Sequence, residues 1–295
     1  MNFDALRQQI KKQTDEGLLA LIESMPDHAP RLKEAMQHAL LVGGKRMRPL
    51  LAHLIGNALD IPKQDQQVIS MAIECIHAYS LVHDDLPAMD DDALRRGQPT
   101  CHVKFDEATA ILAGDALQTL AFSILTDEPL SEQSAPHRAK LVSILAAASG
   151  YRGMCGGQAI DLAATGHSID VDALTRLHQL KTGALLSACA QMVTQVADIS
   201  ESDRQHFITF SRIIGLAFQV QDDILDVEGD AQMLGKPQGS DQALGKNTFP
   251  ALLGMDQAKQ VLSDLHDEAL QALASLPYNT EYLTAFTDLM VNRKH

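Results

Sequence analysis

Three observations predict an all-α fold for this chain of 295 residues. Apolar residues recur at helical spacing nearly everywhere, and Gly, Pro and Asp clusters interrupt them. Aromatic residues are scarce at 4% and Trp is absent, while Ala, Leu and Gln recur, which favours packed helices over a sheet-rich sandwich. No alternation of strand and helix patterns appears. The 45% apolar content can bury a sizeable core, so wholesale disorder is excluded.

The spacing places helices at 2–22, 30–42, 49–58, 63–86, 106–126, 133–164, 172–197, 201–228, 250–275 and 280–292. The first is charged and carries no apolar stretch of the signal-peptide kind. Gly43 and Gly44 stop the second, and Pro49 suits the first turn of the third. The fourth is apolar through MAIECIHAYSLVH (71–83) and is ended or kinked by Leu86-Pro87, because proline disfavours helical geometry in the residue before it. No Ser/Gly-rich linker divides the chain, so one domain is expected over 1–295. The longest candidate loop, 229–248, is long enough to be functional, and a lid is the role expected of it.

Charge and cysteine usage narrow the function classes. Lys plus Arg number 24 against 38 Asp plus Glu, a net charge of −14. Such a surface repels nucleic acid and anionic membranes, which bind through Lys/Arg neutralisation. Cys75, Cys101, Cys155 and Cys189 are scattered without CxxC spacing, as expected of reduced thiols in a cytoplasmic protein. Uncharged runs such as Thr182 to Ala197 are too short and too polar for membrane insertion.

Two acidic clusters carry the chemistry. Asp84, Asp85, Asp90, Asp91 and Asp92 follow the apolar fourth helix, and the break at Pro87 lets Asp84 and Asp90 bend toward one point. Asp222, Asp223 and Asp226 follow another apolar run, with Asp222 and Asp226 on one helical face. A solvated acidic helix end is the plain alternative for the first cluster. Two such clusters facing each other repel unless divalent cations lie between them, and carboxylates without His or Cys point to Mg2+ shared with substrate phosphates. Cations accompany them: Lys45, Arg46 and Arg48 in GGKRMRP, Arg95-Arg96-Gly97, Lys181-Thr182-Gly183, and Lys236 and Lys246 in the long loop. Paired arginines match diphosphate oxygens bidentately. His77 lies seven residues before Asp84, on nearly the same helical face.

The ordered set GGKRMRP, HAYSLVHDDLPAMDDDALRRG, GMCGGQAIDL, KTGALL, FQVQDDILDV and LGKPQGSDQALGK resembles the bacterial farnesyl diphosphate synthases, of the short-chain trans-polyprenyl diphosphate synthase family. The resemblance implies a bundle of about ten helices around a deep central cavity, usually a homodimer. It implies that Asp84, Asp90 and Asp222 ligate three Mg2+ ions on an allylic diphosphate, with Asp85, Asp223 and Asp226 as outer or shared ligands. Lys45, Arg48, His77 and Arg96 resemble the binding set for isopentenyl diphosphate. Arg95, Lys181 and Lys236 resemble contacts to the allylic diphosphate, with Thr182 and Gln219 near its reacting end and Gln158 and Asp161 close by. Tyr79, with Ser80 beside it, resembles the floor that stops chain growth at fifteen carbons; the plain alternative is a core residue. The basic end, Asn292 to His295, resembles tails that fold over the site.

Rival readings are a geranylgeranyl or geranyl diphosphate synthase of the same family, a metal phosphohydrolase of the HD type built on His83-Asp84, a terpene cyclase, and a non-catalytic subunit of a heteromeric synthase.

Overall fold

A computed structural model describes residues 2–229 and 245–293. Its contacts resolve two compact units, one ending at Val142 and one beginning at Ser143.

In the first unit, α1 (Phe3–Ser24), α2 (Pro30–Leu41), α3 (Met47–Ala58), α4 (Lys63–Asp84) and α6 (Glu107–Asp127) are the main helices. α4 is the hub, packing on α3 and α6 and buried almost all round from Asp65 to Val82. A two-residue antiparallel ladder, β1 (Leu94–Arg95) and β2 (Gln98–Pro99), and the short helix α5 (Cys101–Lys104) follow α4. Neither was expected, since elements this short carry no readable periodicity.

The second unit is organised by α11 (Glu201–Glu228), whose Phe207, Phe210, Ile214, Ala217 and Val220 are fully buried. Around it stand α8 (Met154–Ala164), α9 (Val171–His178), α10 (Ala184–Val196), α12 (Phe249–Leu253), α13 (Met255–Ala274) and α14 (Glu281–Val291). The division between units falls within α7 (Arg138–Ser149).

Helix starts have ordinary causes. Asp106, Asp170 and Ser200 accept hydrogen bonds from Thr109, Ala173 and Asp203 backbone N–H groups at 2.7, 2.8 and 3.0 Å, capping α6, α9 and α11.

Three expected helices are interrupted. The span 133–164 opens with a 3-10 turn at Ala135–His137 and breaks between α7 and α8, where a side chain on Gly153 would lie 2.0 Å from the Ala148 carbonyl oxygen. The span 172–197 contains a π-helical turn at Gln179–Gly183. The span 250–275 breaks at Gly254, whose φ of +83° suits glycine. The fourth helix ends at Asp84, two residues earlier than expected. All four cysteines are free thiols.

Candidate active site

The first unit assembles cations and carboxylates around the end of α4. Gly43, Gly44 and Arg46 all have positive φ (76°, 112° and 51°), so GGKR is a tight left-handed corner before α3. A side chain at Gly44 would lie 2.6 Å from Arg96 Nη1, so the glycine clears room for that guanidinium. Arg96 donates from Nη1 to the Gly43 carbonyl at 2.8 Å, which ties the diarginine turn to the GGKR corner. His77 faces the same group: burial first, then the charges of Arg48 and Arg96, push it well below the usual histidine range, so it is neutral. Lys45 is exposed in the corner itself.

Arg46 departs from its neighbours. It is buried, donating to Asp15 Oδ1 and Glu74 Oε1 at 2.6 Å each, and it pins the corner to α1 and α4.

Beyond α4 the chain folds back, and the Asp90 N–H donates to the Asp84 carbonyl at 2.8 Å. Asp85 is buried and grips Arg95, whose Nε lies 2.8 and 2.9 Å from its two carboxylate oxygens. Arg95 also approaches Asp92 at 3.7 Å. One face of the acidic run is therefore neutralised locally, and the turn that carries Arg95 and Arg96 is held against α4. Tyr79 is buried and Ser80 partly buried on α4.

The second unit gathers the other predicted residues. Lys181 and the buried Thr182 occupy the π-turn, a local distortion frequent at functional sites. A side chain at Gly157 would lie 2.2 Å from the Lys181 backbone nitrogen, so this glycine of GGQ lets α8 touch the turn. Lys181 Nζ donates to Asp161 Oδ2 at 2.5 Å, and both polar atoms of the Gln158 side chain are buried without a hydrogen-bond partner. Gln219 lies partly buried on α11, one turn before Asp222.

Asp222 carries a cation already. Arg293 Nη2 lies 2.6 Å from Asp222 Oδ1 and 2.8 Å from the Phe218 carbonyl, with its guanidinium carbon 3.7 Å from the Phe218 ring centre. Asp223 accepts from the Phe249 N–H at 2.9 Å and faces His178 at 3.6 Å, joining α11 to α12 and α9. No sequence signal pointed to His178. Asp226 is buried. Lys236, most of the expected lid, Lys294 and His295 lie outside the described residues.

Among the described residues no three His, Cys, Asp or Glu side chains form a cation site unaided. Mg2+ keeps several waters and commonly binds through one or two carboxylates plus substrate phosphates, so an all-oxygen donor set suits it. Asp222, already holding a guanidinium, is placed to receive positive charge.

The polyprenyl synthetase family model matches residues 29–282. A farnesyl diphosphate synthase of Escherichia coli (strain K12) is 49% identical over 297 residues, 99% of each chain. A solved FPP/GFPP synthase from Zymomonas mobilis superposes with a TM-score of 0.88 at 40% identity, covering 98% of this chain and 99% of that one. A Helicobacter pylori geranyltransferase, solved in complex with magnesium and isoprenyl diphosphate, gives a TM-score of 0.81 at 34% identity over 97% and 96% of the two chains.

Proposed function

The chain belongs to the polyprenyl synthetase family and is a prenyltransferase, and on that premise we propose that it condenses isopentenyl diphosphate head-to-tail with dimethylallyl and then geranyl diphosphate, giving farnesyl diphosphate. One observation carries this reading. The first unit offers two unlike places for a diphosphate, a corner rich in cations around Arg48, Arg96 and neutral His77, whose nearby carboxylates Asp15 and Glu74 are paired with Arg46, and an acidic end at Asp84 and Asp90. A cyclase or a phosphohydrolase handles one diphosphate or phosphate ester and needs only one such place.

In this assignment Lys45, Arg48, His77 and Arg96 bind isopentenyl diphosphate through direct hydrogen bonds. Asp84, Asp90 and Asp222 would be the carboxylates that hold Mg2+, with three ions expected for the allylic diphosphate. Bound Mg2+ neutralises charge that develops on the departing pyrophosphate. Lys181, Lys236 and Arg95 contact the same group, the first and last after exchanging Asp161 and Asp85 for phosphate oxygens. As the C1–O bond breaks, its electron pair leaves with pyrophosphate, and the dipoles of Thr182 and Gln219 steady the allylic cation. The alkene of isopentenyl diphosphate then forms the new bond to C1, and pyrophosphate takes the proton lost from C2. No side chain with a tuned pKa is required. Tyr79, with Ser80 beside it, floors the channel for the growing chain.

Residues 1–295 are read as one synthase domain, active as a cytoplasmic homodimer. The outer face of α6 supports the dimer: only 39% of its most apolar stretch is buried, and Ile111 and Leu112 are 45% and 56% exposed. An apolar stripe of this kind gains from a second copy.

Chromatography of products from dimethylallyl and isopentenyl diphosphates with Mg2+ tests the function. Farnesyl diphosphate is expected. Release of inorganic phosphate without chain elongation would refute it, and a twenty-carbon main product would favour the longer-chain member of the family.

A further inference from the structure

The buried Tyr79 ring has a definite support. His83, one turn along α4, meets it edge-on, with ring centres 5.8 Å apart and planes at 78°. His83 is itself held from α6. Its Nε2 lies 3.1 Å from the Ile111 carbonyl, which can only accept, so Nε2 carries the hydrogen. The space it occupies exists because residue 114 is glycine: a side chain there would lie 2.1 Å from His83 Nε2 and 2.4 Å from Cδ2. The Asp115 carboxylate stands 4.0 Å from the same nitrogen. The imidazole is thus wedged between the Tyr79 ring and a notch in α6.

We propose that His83, seated in the Gly114 notch, is a positioning residue for product length that holds Tyr79 against the end of the growing prenyl chain. Resting on Tyr79 as the chain floor, this adds what keeps the floor in place. An aromatic ring stops an advancing chain only if it cannot swing aside, and rings in close packing are held by their neighbours. One such neighbour is His83, which is held in turn from α6. Removing the imidazole leaves room of about one ring beside Tyr79, so the tyrosine can rotate and the channel deepens. Gly114 enters the same device from another helix, without touching substrate.

The test is the product distribution of His83→Ala, Gly114→Ala and Tyr79→Ala, measured on the purified full chain with dimethylallyl and isopentenyl diphosphates and Mg2+. The ratio of chain lengths is read rather than the rate, because His83 adjoins Asp84 and a change in turnover alone carries no information about the floor. His83→Ala and Gly114→Ala are expected to shift the main product from fifteen to twenty carbons, as Tyr79→Ala does. His83→Gln, which retains a donor for the Ile111 carbonyl, is expected to stay at fifteen. The His83→Ala/Tyr79→Ala double variant should lengthen the product no further than Tyr79→Ala alone. If Tyr79→Ala lengthens the product while both His83→Ala and Gly114→Ala leave it at fifteen carbons, the brace is overturned and the floor stands. If all three leave it unchanged, the floor and the brace fall together.

Discussion

The acidic ends of α4 and α11 are alike in sequence and are built differently. At α4 the run is neutralised from nearby, since Asp85 takes Arg95 from ten residues on, and the short β1–β2 turn that carries Arg95 also delivers Arg96 to the GGKR corner. At α11 the cation arrives from Arg293, at the far end of the unit, and Asp223 is spent on joining α12 to the helix. The first end is a local assembly, and the second depends on a residue 71 positions further along the chain. Each end commits one carboxylate to structure, Asp85 in one and Asp223 in the other.

Breaking the scaffold and breaking the chemistry should therefore look different. Replacing Asp84 or Asp222 by Asn should cost turnover on the order of 10²–10³-fold, as loss of one group that stabilises developing charge does, with a fall in melting temperature no larger than the about 2–4 °C that breaking the Asp222–Arg293 pair implies. Steady-state rates at saturating Mg2+ check this.

At the cationic corner, Arg48→Ala or Arg96→Ala should raise the KM for isopentenyl diphosphate about 10–100-fold, since a charged hydrogen bond contributes roughly 1.5–3 kcal/mol. The KM for the allylic substrate should move far less. Equal changes in both would show that the corner does not discriminate between the two diphosphates.

The units should also differ in acid. His53 is buried in the first unit, and burial lowers its pKa to about 4 from the ordinary 6.5. Between these values the unfolded chain binds a proton that the folded chain refuses, so stability falls as pH drops from 6.5 toward 4, by at most about 3 kcal/mol. Chemical denaturation at pH 7 and pH 4.5 should show the loss, and His53→Leu should reduce it.

The smallest effect is at Arg293. Arg293→Ala should lower the melting temperature by about 2–4 °C, as loss of a partly buried pair of roughly 1 kcal/mol implies. It should also enlarge the rise in melting temperature on adding Mg2+, because Asp222 then has no competing cation. An unchanged Mg2+ response would mean that Arg293 and the metal do not share Asp222.

The helices and the buried faces of α4 and α11 were legible because periodic apolar residues report burial directly. The interruptions were not. A π-turn inserts a single residue, a slip of phase that cannot be told from ordinary scatter in an apolar helix such as 172–197, and the break at Gly153 depends on a carbonyl contact that only packing creates. Residue types at the site were legible for the same reason that spacing is, but partners were not. Arg46, one of three neighbouring cations, is buried on Asp15 and Glu74, 31 and 28 residues away. Lys181 and Asp161 were both singled out, and nothing in their 20-residue separation announces the ion pair. The choice of partner is a tertiary fact, made by Gly157 and Gly44 as much as by the charged residues themselves.

The proposed function requires Asp84 and Asp222 to act on the same chemical step, ionisation of the allylic diphosphate, and a double-mutant cycle tests this most directly. Turnover of Asp84→Asn, Asp222→Asn and the double variant should be strongly non-additive, the second substitution costing much less once the first is present. Independent, fully additive losses would contradict it, because the two carboxylates would then be acting on separate events.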